Sequence, residues 1–239
     1  MPAVRLIGPG RAGQALARAL AHAGGEWRVA GLLGRGDDLA SAAAGVDLLL
    51  LCVPDGAVAE VAAAVRPSPD CVVAHVAGAL TLDALGRHIR RASVHPLVAI
   101  PTPDTALAGR WFAVAGDPIA AQLVDALGGH AIAVADRDRV AYHAAACIAS
   151  NHLVALLGQV ERVARAAGVP LEAYLDLARG SVDNVATLGP AAALTGPVER
   201  GDWATVDRHR AALDPSELAA YDAMVELARR LAQERVPCV

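Results

Sequence analysis

The chain has 239 residues, 55% of them hydrophobic but only 3% aromatic, with a formal charge of −4. That is enough for one large domain or two modest ones, with a core of Ala, Val and Leu. The acidic balance, with no basic stripe interleaved with aromatics, excludes a phosphate-backbone partner, so no nucleic acid is expected. All 21 basic residues are arginine, which excludes Schiff-base and lysine-acid chemistry.

The first element is an apolar strand over residues 4–7. It runs into Gly8-Pro9-Gly10-Arg11-Ala12-Gly13, after which Ala12, Ala15, Leu16, Ala19, Leu20 and Ala23 recur on one helical face. Strand, glycine turn and helix together make G-x-G-x-x-G a dinucleotide-binding signal rather than a chance string. Gly8 permits the tight turn, Gly10 lets a pyrophosphate approach the backbone, and Gly13 lets the helix lie close to the strand. The helix start offers free N–H groups and a positive dipole end to phosphates. The first helix is expected to end near Gly24-Gly25, and a second strand covers 27–33. Where strand two meets the adenosine ribose, an acid suits NAD and an arginine suits the 2′-phosphate of NADP. Arg35 stands there, Asp37 and Asp38 come late, and Arg11 is within reach of the same phosphate, so NADP is the expected cofactor.

Residues 48–53, after Asp47, form a continuous apolar run, as in a parallel strand covered on both faces, ended by Val53-Pro54-Asp55. A helix over 58–65 and a strand over 71–75 follow, the latter closing in His75-Val76-Ala77-Gly78. Short strands at 93–95, 111–115 and 130–135, with a helix over 120–127, complete an α/β unit with a mostly parallel, Rossmann-like sheet. Ligands of such sheets bind beyond the carboxyl ends of the strands. Those ends carry Gly8, Arg35, Pro54-Asp55, His75 and His95.

After Asp136 the pattern is helical, so residues 1–136 are read as a dinucleotide-binding domain and 137–239 as a smaller all-α domain. One long helix is predicted over 138–167, another over 170–188, a short one from Asp202 to 213, and a last one starting at Asp214-Pro215-Ser216-Glu217. Wound at the usual helical angle, His143, Cys147, Ser150 and Asn151 share a sector of roughly 100° on the long helix. Such a stripe either makes inter-helix hydrogen bonds or faces a nicotinamide pocket. Arg200 either clamps a substrate carboxylate or ties helices together with Asp202.

The run over 140–160 is apolar, but His143, Asn151, His152 and Gln159 interrupt it, so a membrane span is not expected. Cys52, Cys71, Cys147 and Cys238 lack C-x-x-C spacing, so neither a disulfide framework nor a metal site is expected. With no charged n-region before an apolar segment, a cytoplasmic location follows.

Five motifs carry a family resemblance: Val53-Pro54-Asp55; His75-Val76-Ala77-Gly78; Val94-His95-Pro96-Leu97; Tyr142-His143-Ala144-Ala145-Ala146 with Ser150-Asn151; and Leu194-Thr195-Gly196-Pro197 with Arg200-Gly201-Asp202. With them the chain resembles a bacterial family that joins a Rossmann-like NADP-binding domain to a helical domain of unknown function. That family is related to pyrroline-5-carboxylate reductase, ketopantoate reductase and 6-phosphogluconate dehydrogenase. The resemblance implies a 6-phosphogluconate dehydrogenase-like architecture, an NADP-dependent oxidoreductase of a small molecule, and a homodimer formed through the helical domain. The family usually has serine at Ala77. Relatives use a K-x-x-x-N pair on the long helix, where this chain has Cys147 and Asn151. His143 is then the expected proton donor, since an imidazolium is a competent acid near neutral pH. His95 is the alternate, with Asn151 and Ser150 toward the substrate and Arg200 toward a carboxylate. The nicotinamide is expected near Val53, Pro54 and His75. A ketopantoate-like 2-keto acid is the first substrate class and a cyclic imine the second. The alternative is a non-catalytic NADP-binding regulatory or dimeric interaction protein.

Overall fold

Four consecutive leucines, Leu48–Leu51, form a strand with no exposed side chain on either face. Such a strand needs cover above and below, and the chain supplies it by alternating strands with helices. The computed structural model describes residues 1–24 and 27–234. Its seven strands are β1 (Ala3–Ile7), β2 (Arg28–Leu33), β3 (Leu48–Leu51), β4 (Val72–His75), β5 (Arg91–Pro96), β6 (Trp111–Gly116) and β7 (His130–Ala133). They form one sheet in the order β2-β1-β3-β4-β5-β6-β7. Every neighbouring pair is parallel except β5 and β6. This is the expected Rossmann-like α/β sheet.

Helices α1 (Arg11–His22), α2 (Val58–Ala64) and α3 (Ile119–Ala126) cover the sheet. One apolar cluster joins Leu16 and Leu20 of α1 and Leu123 of α3 to Leu6, Leu48, Leu50 and Phe112. The other joins Val58 and Ala62 of α2 to Leu49, Leu51 and Val73. The first helix ends at His22; of the expected stop Gly24-Gly25, Gly25 lies outside the described residues, as does Cys238.

The long helix is interrupted. It comprises α4 (Arg139–Cys147), a π-helical turn (Ile148–His152) and α5 (Leu153–Ala166). The wider i→i+5 turn holds Ser150 and Asn151, so the angular reckoning that grouped them with His143 stops at Cys147. The chain divides into two compact units within that turn, Met1–Ser150 and Asn151–Val239. The division falls later than residue 136 because α4 is hydrogen-bonded to the sheet through Arg139 and Tyr142.

The second unit holds α5, α6 (Leu171–Leu188), α7 (Pro190–Ala193), α8 (Trp203–Ala212) and α9 (Leu218–Gln233). Asp202 caps α8 by accepting from the Thr205 N–H at 3.1 Å, and Asp214 accepts from the Ser216 N–H at 2.9 Å ahead of α9. Glu217 does not close a capping box; it takes a bidentate pair of hydrogen bonds from Arg162 of α5. Among the described residues the buried apolar side chains of this unit are Ala164, Val206 and Val225. Leu153, Val154, Leu177, Val182, Val185, Leu188, Met224 and Leu227 are exposed. The helical stretch Asp136–Ala166 is, by length and composition alone, long and apolar enough to cross a membrane.

Candidate functional site

The glycine turn sits where β1 hands over to α1, held from both flanks. Gly8 N–H donates to the Leu33 carbonyl of β2 at 2.8 Å, and Cys52 N–H beyond β3 donates to the Ile7 carbonyl at 2.7 Å. Gly8 has φ +107°. A methyl there would overlap the Cys52 carbonyl oxygen and stand 2.8 Å from its carbon. Gly13 is buried, and a methyl there would overlap the Gly8 carbonyl oxygen. These two glycines are therefore required by the protein's own packing. Gly10 differs: a methyl on it would meet nothing within 4 Å.

Gly10 is the N-cap of α1, which has no side-chain cap and no acid in its first turn. Pro9, Gly10 and Arg11 are exposed and Ala12 is partly so. This is a bare backbone cradle at a positive helix end, beside an arginine. Arg35 is exposed after β2, between Gly34 and Gly36, the latter at φ +94°. Asp37 in the same exposed loop accepts from Gly34 N–H at 2.7 Å. Val53 is half-buried and Pro54 exposed beyond β3.

Beyond β4 and β5 a second cluster forms against α4. His95 Nδ1 lies 2.7 Å from the Tyr142 hydroxyl. The His95 and His143 rings meet edge to face with centroids 5.9 Å apart. His143 Nε2 is 3.9 Å from Cys147 Sγ one turn on. Gly78 is the floor: a methyl on it would overlap His143 Cδ2 and stand 2.9 Å from His95 Nε2 and 3.1 Å from His143 Nε2. Two imidazole nitrogens thus converge on one glycine at the carboxyl edge of the sheet.

Behind them Arg139 is fully buried. It donates to Ser93 Oγ at 2.7 Å and to the Ala77 carbonyl at 3.0 Å, while its Nε has no partner. Burial lowers its pKa, opposed by Asp136, but an arginine keeps its charge. Burial also pushes His95 down to about 4, helped by His143, Arg139 and His75. An uncharged His95 therefore stands near the fixed positive charge of Arg139.

His75, expected beside the nicotinamide, is fully buried. Its Nε2 faces the Thr81 carbonyl at 3.3 Å. It braces the turn after β4 and has no surface to offer a ligand. Burial, then Arg139, lowers its pKa. His143 and His95 are brought together as a pair. Ser150 is exposed at the end of the first unit, and Asn151 and Arg200 are exposed in the second. Asp202, offered as a partner for Arg200, has its carboxylate on Thr205 instead. Arg139, Ser93 and Gly78 were not singled out from the sequence as site residues, nor was Tyr142. For Arg139 and Tyr142 the signal was spacing: 139, 142, 143 and 147 fall on one helical face.

Residues 113–228 match the model of a family described as a domain of unknown function (DUF2520). No curated protein sequence matches the chain. Three solved structures share the fold over nearly its whole length. A Bacteroides fragilis protein described as an NADP oxidoreductase has 19% identity and TM-score 0.79, covering 96% of this chain and 98% of its own. A Thermotoga maritima protein has 25% identity and TM-score 0.72, covering 96% and 98%. A reductive aminase from Aspergillus terreus, solved with NADPH and ethyl levulinate, has 18% identity and TM-score 0.72, covering 98% of each chain.

Proposed function

We propose that this protein is an NADPH-dependent reductase of a small carbonyl or imine compound. A 2-keto acid resembling ketopantoate is the first candidate class and a cyclic imine the second. The observation that carries the reading is the bare surface at Gly10. The neighbouring glycines are explained by the protein's own contacts, whereas at Gly10 no protein atom stands where a side chain would, at the exposed and uncapped start of α1. A dinucleotide pyrophosphate fits a turn of this kind, between Gly8 and Gly13 and against the first N–H groups of α1. Arg35, with Arg11, suits a 2′-phosphate. Similarity to NADPH-containing relatives supports the same cofactor.

Bound NADPH supplies the hydride. His143 gives the proton that balances it, leaving an alcohol or amine, and His95 lies beside it. The test is a pair of variants. Gly10→Ala is expected to keep the wild-type melting temperature and weaken NADPH binding at least roughly tenfold, the affinity equivalent of about 1.4 kcal/mol. Arg35→Glu is expected to weaken NADPH far more than NADH. Wild-type affinity for NADPH in both, by isothermal titration, would sink the assignment.

The same proposal includes a homodimer formed through the helical unit. Among the described residues, three buried apolar side chains are too few to hold five helices, while exposed Leu177 and Val182 of α6 and Met224 and Leu227 of α9 await cover. A second copy meets that need with a matching apolar face. Sedimentation velocity is expected to give twice the chain mass, and Leu177→Glu with Val182→Glu is expected to give monomer. A wild-type monomer at micromolar concentration would count against it.

A further inference from the structure

The reductase reading leaves one strong contact of the imidazole cluster unused, the 2.7 Å link between the Tyr142 hydroxyl and His95 Nδ1. We propose that Tyr142 is a positioning residue that fixes His95 as its Nε2–H tautomer, so that His95 acts over Gly78 as a hydrogen-bond donor to the substrate atom and His143 alone supplies the proton. The proposal rests on the reductase reading for its substrate, but the tautomer is a property of the protein by itself.

The direction of the hydrogen bond follows from chemistry. An sp² ring nitrogen is a better acceptor than a phenol oxygen, and a phenol is a better donor than a neutral imidazole. Tyr142 thus donates to Nδ1, and the single proton of a neutral His95 sits on Nε2. That nitrogen is the one that approaches Gly78.

The surroundings keep the ring neutral. The groups facing His95 are Tyr142, His143 and Arg139 from α4 and His75 from β4. None is a carboxylate, so none rewards a charge on His95. Arg139 is anchored at both ends of this wall, on Ser93 two residues before His95 in β5 and on the Ala77 carbonyl next to Gly78. Two adjacent imidazoles cannot both carry charge cheaply, so one donates a hydrogen bond and the other a proton. Neighbouring groups driven apart in this way take separate acid and donor roles.

Two measurements test the proposal. Long-range ¹H–¹⁵N spectra of the histidine-labelled protein, without substrate, are expected to show His95 as Nε2–H and not titrating between about pH 5.5 and 8. Tyr142→Phe is expected to give a mixture of tautomers. An Nδ1–H tautomer, or titration of His95 in that range, overturns the proposal and leaves the reductase reading intact. Absence of NADPH oxidation with every keto acid and imine tried overturns the reductase reading, and the spectra still decide the tautomer. Where turnover is found, His95→Gln, which retains an N–H donor, is expected to keep kcat within roughly tenfold. His95→Leu is expected to lose at least about a hundredfold, the order of one oxyanion donor. Tyr142→Phe is expected to lower kcat with KM for NADPH unchanged. Equal loss of kcat in the Gln and Leu variants would make His95 an acid and overturn the proposal.

Discussion

Gly13→Ala is expected to lower the melting temperature by roughly 6–12 °C and to abolish measurable NADPH binding. The added methyl overlaps the carbonyl oxygen of Gly8 and stands 3.2 Å from Cys52 Cβ. The oxygen is backbone, in a turn whose N–H is bonded to Leu33, so it cannot swing aside as a side-chain end would. Nor is α1 free to retreat. Ala15, Leu16 and Leu20 on the same helix are buried at 1%, 0% and 1% exposure, within the cluster that includes Leu6 and Leu48. Lifting the helix would open a gap under all three. An overpacked site of this kind costs about 3 kcal/mol, and in a chain of this length each kcal/mol moves the midpoint by about 2–4 °C. Calorimetry of Gly13→Ala beside Gly10→Ala separates two meanings of glycine in one motif. The first variant should lose stability and binding together, the second binding alone. Wild-type melting for Gly13→Ala would mean that α1 does not approach β1 this closely.

The sheet was legible because its signals are local. A run of four leucines, a proline after Val53 and a glycine turn ahead of an amphipathic helix each have one physical solution, and the structure adopts it. The π-helical turn was not legible. In a helix this rich in Ala, Val and Leu, one extra residue in a turn leaves the apolar pattern almost unchanged, and the polar Ser150 and Asn151 read as one stripe with His143 and Cys147 instead. Arg139 was hidden for the opposite reason. The run Asp136-Arg137-Asp138-Arg139 alternates acid and base, and nothing in that alternation marks its last side chain as the one that goes inward. Only the three-dimensional meeting of Ser93 with the Ala77 carbonyl supplies the oxygens that make this burial tolerable. His75 shows the limit of reading strand ends. The end of a parallel strand is near the ligand edge, yet Val72–His75 is buried throughout, so the side chain that ends it faces the interior. His95, one strand further on, is only partly covered and keeps an open edge.

Stability is expected to fall in two stages on acidification, the first set by histidine rather than by carboxylates. His95 has its pKa held near 4 in the folded protein, against an ordinary value of 6.5, by burial and by the charges of His143 and Arg139. Between those values the unfolded chain binds a proton that the folded chain refuses, so unfolding takes up protons and stability rises with pH. The contribution is complete above pH 6.5 and lost as the pH falls to about 4. A shift of that size corresponds to about 3 kcal/mol for His95 alone. His75, also lowered by burial and Arg139, adds to the same stage. The second stage belongs to carboxylates held below their ordinary values by hydrogen bonds, among them Glu217 beside Arg162 and Asp202 beside Thr205. They lose their share only below the usual carboxylate range. Denaturant titrations from pH 7 to 4 should therefore show a decline that begins well before any carboxylate is protonated. His95→Gln should remove most of that first slope while leaving the steeper fall at lower pH, because an amide in the same place has no proton to refuse. A flat profile from pH 6.5 to 4.5 in the wild type would mean that His95 takes its proton in the folded state, and with it the separation of roles between the two imidazoles would be lost.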